Sequence, residues 1–255
     1  AGKKGIFSGA TSSTPAELTV ADDYLFFAAT DPYGGRELWY FYFSGGVNSE
    51  SLANPGVLAS FDIVPGTVGS DPQSITSSNG HLPIMFQATN AASGSELWMF
   101  DGSASGPTLV MDICPGATGS HPMYITYFRA AFYFQATDCV HGTELWTSNG
   151  IVTKMVRDIR PGIPDGGPAY FTVMRSLLDP TMDYLYFAAS DGLYNRPLHS
   201  LEGVGGAQIW RTDGTFEGTV RAFDRSENDL YIDRPSLEAA YPKQFGVSRN
   251  GLYVA

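Results

Sequence analysis

The sequence predicts an all-β fold, in the form of a β-propeller built from four-stranded antiparallel blades. One tripeptide recurs with little change and contains every tryptophan of the chain: Glu37-Leu38-Trp39, Glu96-Leu97-Trp98, Glu144-Leu145-Trp146 and Gln208-Ile209-Trp210. A repeat of roughly 45 to 65 residues is in the range of propeller blades. The composition agrees, because 29 glycines, 16 prolines and only 16% charged residues suit short strands joined by tight turns.

The first half of each repeat predicts two strands. A proline opens a short strand that ends on threonine, in the copies Pro15–Thr19, Pro72–Thr76, Pro122–Thr126 and Pro168–Thr172. An aromatic strand that ends in small residues follows, at Leu25–Thr30, Ile84–Thr89, Phe132–Thr137 and Leu185–Ser190. Small side chains at these ends would let adjacent sheets approach closely.

The second half of each repeat adds a strand that carries the tryptophan and a strand that closes on Asp-Ile. The closing copies are Phe61–Ile63, Met111–Ile113 and Arg157–Ile159, with a degraded copy at Phe223–Asp224. Four strands bounded by turns predict an antiparallel meander. Such meanders must stack on their neighbours to bury both faces, so we expect the four tryptophans to pack blade against blade.

We predict that residues 1–255 form one propeller domain or a segment of one. The four blades span about 13–63, 72–113, 122–159 and 168–224. A partial blade at 1–9 aligns with the last strand of a repeat, and another at 242–255 aligns with the first two strands. Open sheet edges are normally avoided, so we expect either a longer protein or a small propeller closed by strand exchange between its ends.

Charge and hydropathy exclude two classes of partner. A formal net charge of −11 and a pI near 4.6 argue against nucleic acid, because its phosphates require a basic face. No apolar stretch is long enough to span a bilayer, which argues against membrane insertion, and the first ten residues lack the apolar core of a signal peptide.

The two cysteines are a disulfide candidate. Cys114 lies in the loop that leaves the second blade, and Cys139 in a hairpin of the third, on the same predicted face. Two unrelated buried thiols are the alternative. A disulfide would indicate an oxidising compartment, so we expect an extracellular or cell-surface protein. His121 and His141 on that face make a zinc site with the cysteines a weaker hypothesis.

Recurring acidic residues leave calcium open as a cofactor, with no cofactor as the main expectation. They follow the second strand at Asp31, Asp138 and Asp191, and end the fourth at Asp62, Asp112, Asp158 and Asp224. No calcium-loop pattern of alternating acids around a glycine is present. The alternative is that these aspartates and Glu37, Glu96 and Glu144 cap turns and accept hydrogen bonds from backbone amides.

No catalytic motif accompanies the repeat. The Gly-x-Ser-x-Gly and His-Glu-x-x-His patterns are absent, and nothing selects a pair of carboxylates for glycoside hydrolysis. We therefore predict that the protein is not an enzyme.

Irregular loops are the predicted interaction sites, because function on repeat scaffolds is carried by loops. The fourth repeat contains long inserts at 191–207 and 225–241. The predicted contact residues there are Asp191, Tyr194, His199, Glu227, Asp229, Tyr231 and Asp233. Variable loops without a partner are the alternative.

The combined motif resembles the ELWxxDGT repeat. The string Ile209-Trp210-Arg211-Thr212-Asp213-Gly214-Thr215 carries it most clearly, with Glu-Leu-Trp and Asp-Ile-x-Pro-Gly in the other copies. The first and third repeats depart from it by lacking Asp-Gly-Thr. The resemblance implies a β-propeller in large secreted or surface-attached proteins, usually without known enzymatic activity, and it implies no catalytic residues.

The sequence therefore favours a noncatalytic structural or adhesive module that binds other protein subunits, for example in a polymeric surface appendage or matrix. A carbohydrate-binding propeller with glycan as the partner is the alternative, and a hydrolase is a weaker one.

Overall fold

The computed structural model describes Ile6, residues 12–43, 56–175, 182–192 and 207–222, and the backbone of 245–248 and 251–254. The secondary structure in these ranges is entirely β, without a helix. Correspondingly, they hold no helix that is long and apolar enough to cross a membrane.

Eighteen strands are present in the described ranges, and the first sixteen form four antiparallel sheets of four. Sheet 1 contains β1 (Ala16–Ala21), β2 (Tyr24–Asp31), β3 (Gly35–Tyr42) and β4 (Val57–Phe61). Sheet 2 contains β5 (Gln73–Ser78), β6 (His81–Asn90), β7 (Gly94–Phe100) and β8 (Thr108–Met111). Sheet 3 contains β9 (Met123–Phe128), β10 (Ala131–Thr137), β11 (Thr143–Ser148) and β12 (Thr153–Arg157). Sheet 4 contains β13 (Ala169–Arg175), β14 (Asp183–Ala189), β15 (Gln208–Thr212) and β16 (Val220–Arg221).

Each sheet is a meander in which strands pair in chain order. The first strands of the four sheets, β1, β5, β9 and β13, are neighbours in that order. A final hairpin of β17 (Phe245–Ser248) and β18 (Gly251–Val254) continues the series, with β17 beside β13. The sheets are thus stacked face to face in the order of the sequence.

Two opposite apolar faces on each sheet explain the stacking, because successive side chains of a strand point to opposite sides. In sheet 2, Phe86 and Trp98 pack against sheet 1, while Met85 and Leu97 pack against sheet 3. Sheets 1 and 3 repeat the arrangement, and in sheet 4 Phe187 and Trp210 pack against sheet 3. In every copy of the tripeptide, therefore, the tryptophan packs toward the preceding sheet or chain segment. The leucine packs toward the following sheet in the first three copies.

The tryptophans contribute apolar area to these interfaces. Trp39, Trp146 and Trp210 are buried, and Trp98 is partly buried against sheet 1. None of the four indole Nε1 atoms has a hydrogen-bond partner among the described residues. Their role is hydrophobic packing between sheets.

Small residues lie where the sheets approach each other. Ala28, Ala88 and Ala136 are fully buried inside the inter-sheet clusters, and Ala189 is 1% exposed. Each sits near the end of the second strand, where a larger side chain would force the neighbouring sheet away.

A β-bulge recurs in the first strand of every sheet. The register of the first and second strands shifts at this point in all four sheets. Glu17, Ser74, Tyr124 and Tyr170 have φ between 53° and 60° there, which is uncommon for residues other than glycine. A bulge bends a strand and increases its twist, so the first strands of all four sheets, β1, β5, β9 and β13, carry the same bend.

The prediction of an all-β fold is confirmed, and the four sheets are four-stranded and antiparallel as predicted. They form an open series that the described residues do not close into a ring. Most of the predicted partial blade at 1–9 lies outside the described residues, except Ile6, which packs in the cluster of Trp39. The two strands predicted within 242–255 correspond to the hairpin of β17 and β18.

Truncation of one inter-sheet aromatic side chain tests the stacking. Phe86→Ala should lower the free energy of unfolding by about 3 to 5 kcal/mol, because it leaves a cavity between sheets 1 and 2. Ile151→Ala is the control, since this side chain is 90% exposed and its loss should change stability by about 0.5 kcal/mol at most. Chemical denaturation measures both, and equal effects would contradict the packing described.

Candidate functional site

Three glutamates at homologous positions are buried in the third strands of sheets 1 to 3. Glu37 is 1% exposed, and Glu96 and Glu144 are 0% exposed. Burial of a carboxylate is costly unless hydrogen-bond donors replace water. In each case the donors come from the loop that leads to the next sheet, which is residues 62–72, 112–122 or 158–168. We call these arrangements joints 1, 2 and 3.

Joint 2 shows the arrangement most completely. Cys114 N and Ser120 N donate to Glu96 Oε1 at 3.1 and 2.9 Å, and Ser120 Oγ donates to Glu96 Oε2. Cys114 follows the last strand of sheet 2, and Ser120 precedes the first strand of sheet 3. One carboxylate therefore ties the exit from one sheet to the entrance of the next.

Joint 1 uses a loop amide and a serine hydroxyl at the equivalent positions. Val64 N donates to Glu37 Oε1 at 3.0 Å, and Ser70 Oγ donates to Glu37 Oε2. Burial raises the pKa of Glu37 and of Glu96 above the ordinary value, while the serine hydroxyl and the backbone amides act in the opposite direction by favouring the charged form.

Glycine pairs allow the third strand and the loop to approach. Gly94 and Gly119 have φ of 68° and 77°, and a Cβ on Gly119 would lie 2.3 Å from Ser95 N. Gly35 and Gly69 repeat this contact at joint 1, where Arg36 and Gly69 form a parallel bridge. The close approach brings the loop amides within reach of the glutamate.

Joint 3 lacks the serine of joints 1 and 2. Ile159 N, Gly166 N and Arg160 N donate to the Glu144 carboxylate at 2.7, 2.8 and 3.4 Å. Gly166 stands where joints 1 and 2 have serine, so no hydroxyl donates to Glu144 in the described structure. Burial raises the pKa of Glu144 to about 7, against the opposing effect of these amide hydrogen bonds.

The fourth copy of the motif has glutamine. Gln208 occupies the position of the glutamates at the start of the third strand of sheet 4, and its side-chain amide finds no hydrogen-bond partner among the described residues. Most of the segment that follows sheet 4 lies outside the described residues.

A disulfide reinforces joint 2. Cys114 and Cys139 are bonded to each other, with their Cα atoms 5.4 Å apart. The bond connects the loop that leaves sheet 2 to the hairpin between β10 and β11 of sheet 3. Joint 2 is thus held by both a covalent bond and a buried carboxylate.

With Cys114 and Cys139 joined in a disulfide, neither sulfur is a thiolate that could bind zinc. His141 instead pairs with Asp138, with Nδ1 and Oδ2 at 2.7 Å, and the carboxylate raises the pKa of His141. His121 N donates to Ser95 O at 3.0 Å. In the described ranges, no group of three or more His, Cys, Asp or Glu side chains is arranged to hold a metal ion.

The aspartates that follow the second strands cap hairpins. Asp31 Oδ1 accepts hydrogen bonds from Tyr33 N and Gly34 N, both at 2.7 Å. Asp138 Oδ1 does the same for Val140 N and His141 N at 2.9 and 2.8 Å. Of the aspartates near the fourth strands, Asp112 Oδ2 accepts from Gly116 N at 3.3 Å. These contacts match the capping alternative of the sequence interpretation.

Asp191 is the one predicted contact residue with a described environment. Its carboxylate accepts hydrogen bonds from Arg221, with Nε and Oδ2 at 2.9 Å, and its side chain is only 9% exposed. This residue therefore connects the end of β14 to β16 within sheet 4, and its role as a partner contact stays a prediction. The other predicted contact residues lie outside the described residues: Tyr194, His199, Glu227, Asp229, Tyr231 and Asp233.

Exposed apolar side chains recur at the end of the stack where the joints lie. Tyr33 and Val140 occupy tips of the hairpins between second and third strands, and are 85% and 61% exposed. Val68 and Ile163 occupy the adjoining loops and are 84% and 83% exposed. Gly35 lies against the backbone of Val68, and Gly142 against that of Ile163, so each hairpin adjoins the loop that carries the other exposed residue. We call these four residues the apolar tips.

A surface groove of about 440 Å³ lies between sheets 3 and 4. Its lining comes from β12 and from the hairpin between β15 and β16, and includes Lys154, Met155, Phe216 and Glu217. Phe216 is 56% exposed, and the Arg157 guanidinium lies 4.8 Å from its ring centroid. The groove contains none of the buried glutamates.

Comparison with protein-family models, with curated proteins and with solved structures gives no match for this chain.

Sequence interpretation missed the serine partners of the glutamates. The signal was present, because Gly69-Ser70 and Gly119-Ser120 each precede the proline that opens the next repeat by two residues. The third copy, Asp165-Gly166, is the exception. A serine that recurs two residues before the opening proline, after each of the first two repeated glutamates, was therefore the clue to the joints.

Removal of one hydroxyl tests the joints. Ser120→Ala should lower the free energy of unfolding by about 1 to 3 kcal/mol, because it takes a donor from a buried carboxylate. Ser105→Ala, in an exposed loop, is the control and should cost about 0.5 kcal/mol at most. Urea denaturation compares the two, and a Ser120→Ala variant as stable as the control would rule out the proposed role of this hydrogen bond.

Proposed function

We propose that the protein is a noncatalytic structural module of an extracellular β-propeller that binds other subunits of the same polymeric assembly. The observation that carries the proposal is that the recurring residues fall into two groups, one buried between the sheets and one exposed at one end of the stack. The buried glutamates, the tryptophans and the cysteines all act between the sheets, whereas the apolar tips are exposed on one end of the stack.

The propeller is supported by the stacking order. Consecutive sheets pack face to face, their first strands are neighbours, and a further hairpin continues the series beyond sheet 4. Twisted four-stranded meanders that repeat in this way bury both faces when arranged radially. Ring closure would give sheet 1 a neighbour on the face that carries Trp39.

An extracellular location is supported by the disulfide. Bonds such as Cys114–Cys139 persist in oxidising compartments and are rare in the cytosol. The net charge of −11 is favourable for solubility and unfavourable for binding nucleic acid.

A noncatalytic role is supported by the environment of the perturbed carboxyls. A raised pKa often marks a catalytic acid, and Glu144 has one. However, Glu144 is 0% exposed and its oxygens accept hydrogen bonds from backbone amides. A substrate could not reach it without separating sheets 3 and 4.

Binding to partner subunits is supported by the apolar tips. Isolated exposed apolar residues are ordinary, but contiguous ones mark interaction surfaces. Tyr33 and Val68 at joint 1, and Val140 and Ile163 at joint 3, are exposed on a hairpin and a loop whose backbones adjoin. Burial of these four side chains against another subunit would remove apolar area from water and so contribute to the free energy of association.

Carbohydrate binding is a second candidate, favoured by the exposed ring of Phe216. This ring borders the groove between sheets 3 and 4 together with Lys154 and Glu217. An aromatic face beside polar groups is a common arrangement in small-ligand sites. A glycan array without any signal would remove this candidate.

Self-association of the purified protein tests the main proposal. Sedimentation at increasing concentration should show assembly of the wild type. The double variant Val68→Ser and Ile163→Ser should assemble about tenfold more weakly or worse, because it removes apolar area from the contact.

Ile151→Ser is the matched control, since Ile151 is equally exposed but lies in a hairpin at the opposite end of its sheet. Its assembly should equal that of the wild type. A wild-type protein that stays monomeric at the highest concentration, or a double variant that assembles normally, would refute the proposal.

A further inference from the structure

The fourth strand of each sheet lies at the outer edge, because the first strands are the ones that neighbour each other along the stack. An edge strand presents backbone N–H and C=O groups that its own sheet does not pair. Proteins protect such edges by shortening the strand, by charged side chains, by proline or by β-bulges. The four outer strands of this chain differ in that protection.

Three of the four outer strands are protected. β8 has four residues, and its pairing with β7 shifts register between Leu97 and Trp98. β12 has a shift at the homologous place and carries Lys154 and Arg157. β16 has only two residues, one of which is Arg221. Each of these edges is therefore short, irregular or charged.

β4 has none of these features. Its five residues, Val57–Phe61, pair with β3 in unbroken register and include no charged residue and no proline. Val57 and Leu58 are 52% and 36% exposed. Among the described residues, no strand pairs with the other side of β4. The edge of sheet 1 is thus a regular and uncharged template for another extended strand.

β4 is also held in place by aromatic packing. The Phe61 ring centroid lies 5.1 Å from that of Tyr40 on β3 and 4.8 Å from that of Phe100 in sheet 2. A strand that is already ordered loses little conformational entropy when a partner pairs with it. The edge is therefore preformed for binding.

We propose that β4 is a self-association site, at which the β4 strands of two copies of this chain pair antiparallel across a twofold axis at Ala59. The inference deepens the proposed function and rests on it for the nature of the partner, which is another subunit of the same assembly. It adds a second contact surface, separate from the apolar tips. Twofold contacts are the commonest in homo-oligomers, and in them the same patch serves both copies.

The sequence of β4 suits pairing with itself. Antiparallel pairing about Ala59 places Val57 opposite Phe61 of the partner subunit, so apolar residues face each other. Asp62, the charged residue nearest to β4 in the sequence, then lies opposite Gly56, so like charges are not opposed. This neutrality matters because each copy has a net charge of −11, which makes two copies repel each other overall.

A lysine on the edge tests the contact. The wild type should dimerise through β4, and Ser60→Lys should raise the dissociation constant of that dimer about tenfold or more, because a charged edge resists pairing. Ser60 is exposed, so the fold should accept the change. Thr108→Lys is the matched control, since it adds the same charge to an exposed residue of outer strand β8. Sedimentation equilibrium should give the control the dissociation constant of the wild type.

The variant of the apolar tips separates this inference from the proposed function. Val68→Ser with Ile163→Ser removes the other contact, so this protein should still form dimers, and the further change Ser60→Lys should make it monomeric. Unchanged dimers in Ser60→Lys would overturn the β4 contact and leave assembly through the tips intact. A tip variant that is already monomeric would also overturn it, and would indicate that a segment of the same chain or an unlike protein occupies the edge.

Cysteine crosslinking tests the register. The two natural cysteines form the Cys114–Cys139 disulfide, so an introduced cysteine is the one free thiol. Ala59→Cys should give a disulfide-linked dimer on mild oxidation, because the two copies of this residue face each other at the axis. Val57→Cys is the control, since it is more exposed but its two copies would be about 14 Å apart along the strands. Equal crosslinking of the two variants, or none in Ala59→Cys, would overturn the proposed pairing.

Discussion

A carboxylate that is removed from water must find hydrogen-bond donors, and in this chain the donors belong to the segment that leads into the next sheet. Glu96 accepts from Cys114 N at the exit of sheet 2 and from Ser120 N at the entrance of sheet 3. An unpaired carboxylate at 0% exposure would cost several kcal/mol. The burial of the glutamate therefore fixes the path of the loop, and the loop fixes the position of the following sheet.

Apolar packing supplies the stability, while the joints supply the geometry. Phe86 and Trp98 on one face of sheet 2 and Leu97 on the other contact different neighbours, and each face alone could slide along its partner. A directional contact at one end of each sheet removes this freedom. The side chains exposed on the joint loops, such as Val68 and Ile163, take no part in the hydrogen bonds to the glutamates and can vary without disturbing them.

The sequence predicted the sheets well and the joints poorly. Tryptophan positions, strand-bounding glycines and the Asp-Ile ends are local signals, so they identified sixteen strands in four meanders. The partner of Glu96 is 24 residues away, and no local pattern connects an acid to a serine at that distance. The sequence also gave no sign of the positive φ of Ser74 and its homologues. This backbone angle belongs to the bulge in the first strand of each sheet. The ion pair of Asp191 was also hidden, because a loop acid and a paired acid look alike until Arg221 is placed beside it.

The central claim is that each buried glutamate holds two sheets together through its partner in the next loop. A double-mutant cycle on Glu96→Gln and Ser120→Ala measures that contact directly, since coupling between touching residues appears as a departure from additivity. The account predicts a coupling free energy of about 1 kcal/mol or more. Additive effects of the two substitutions, with a coupling energy near zero, would contradict it.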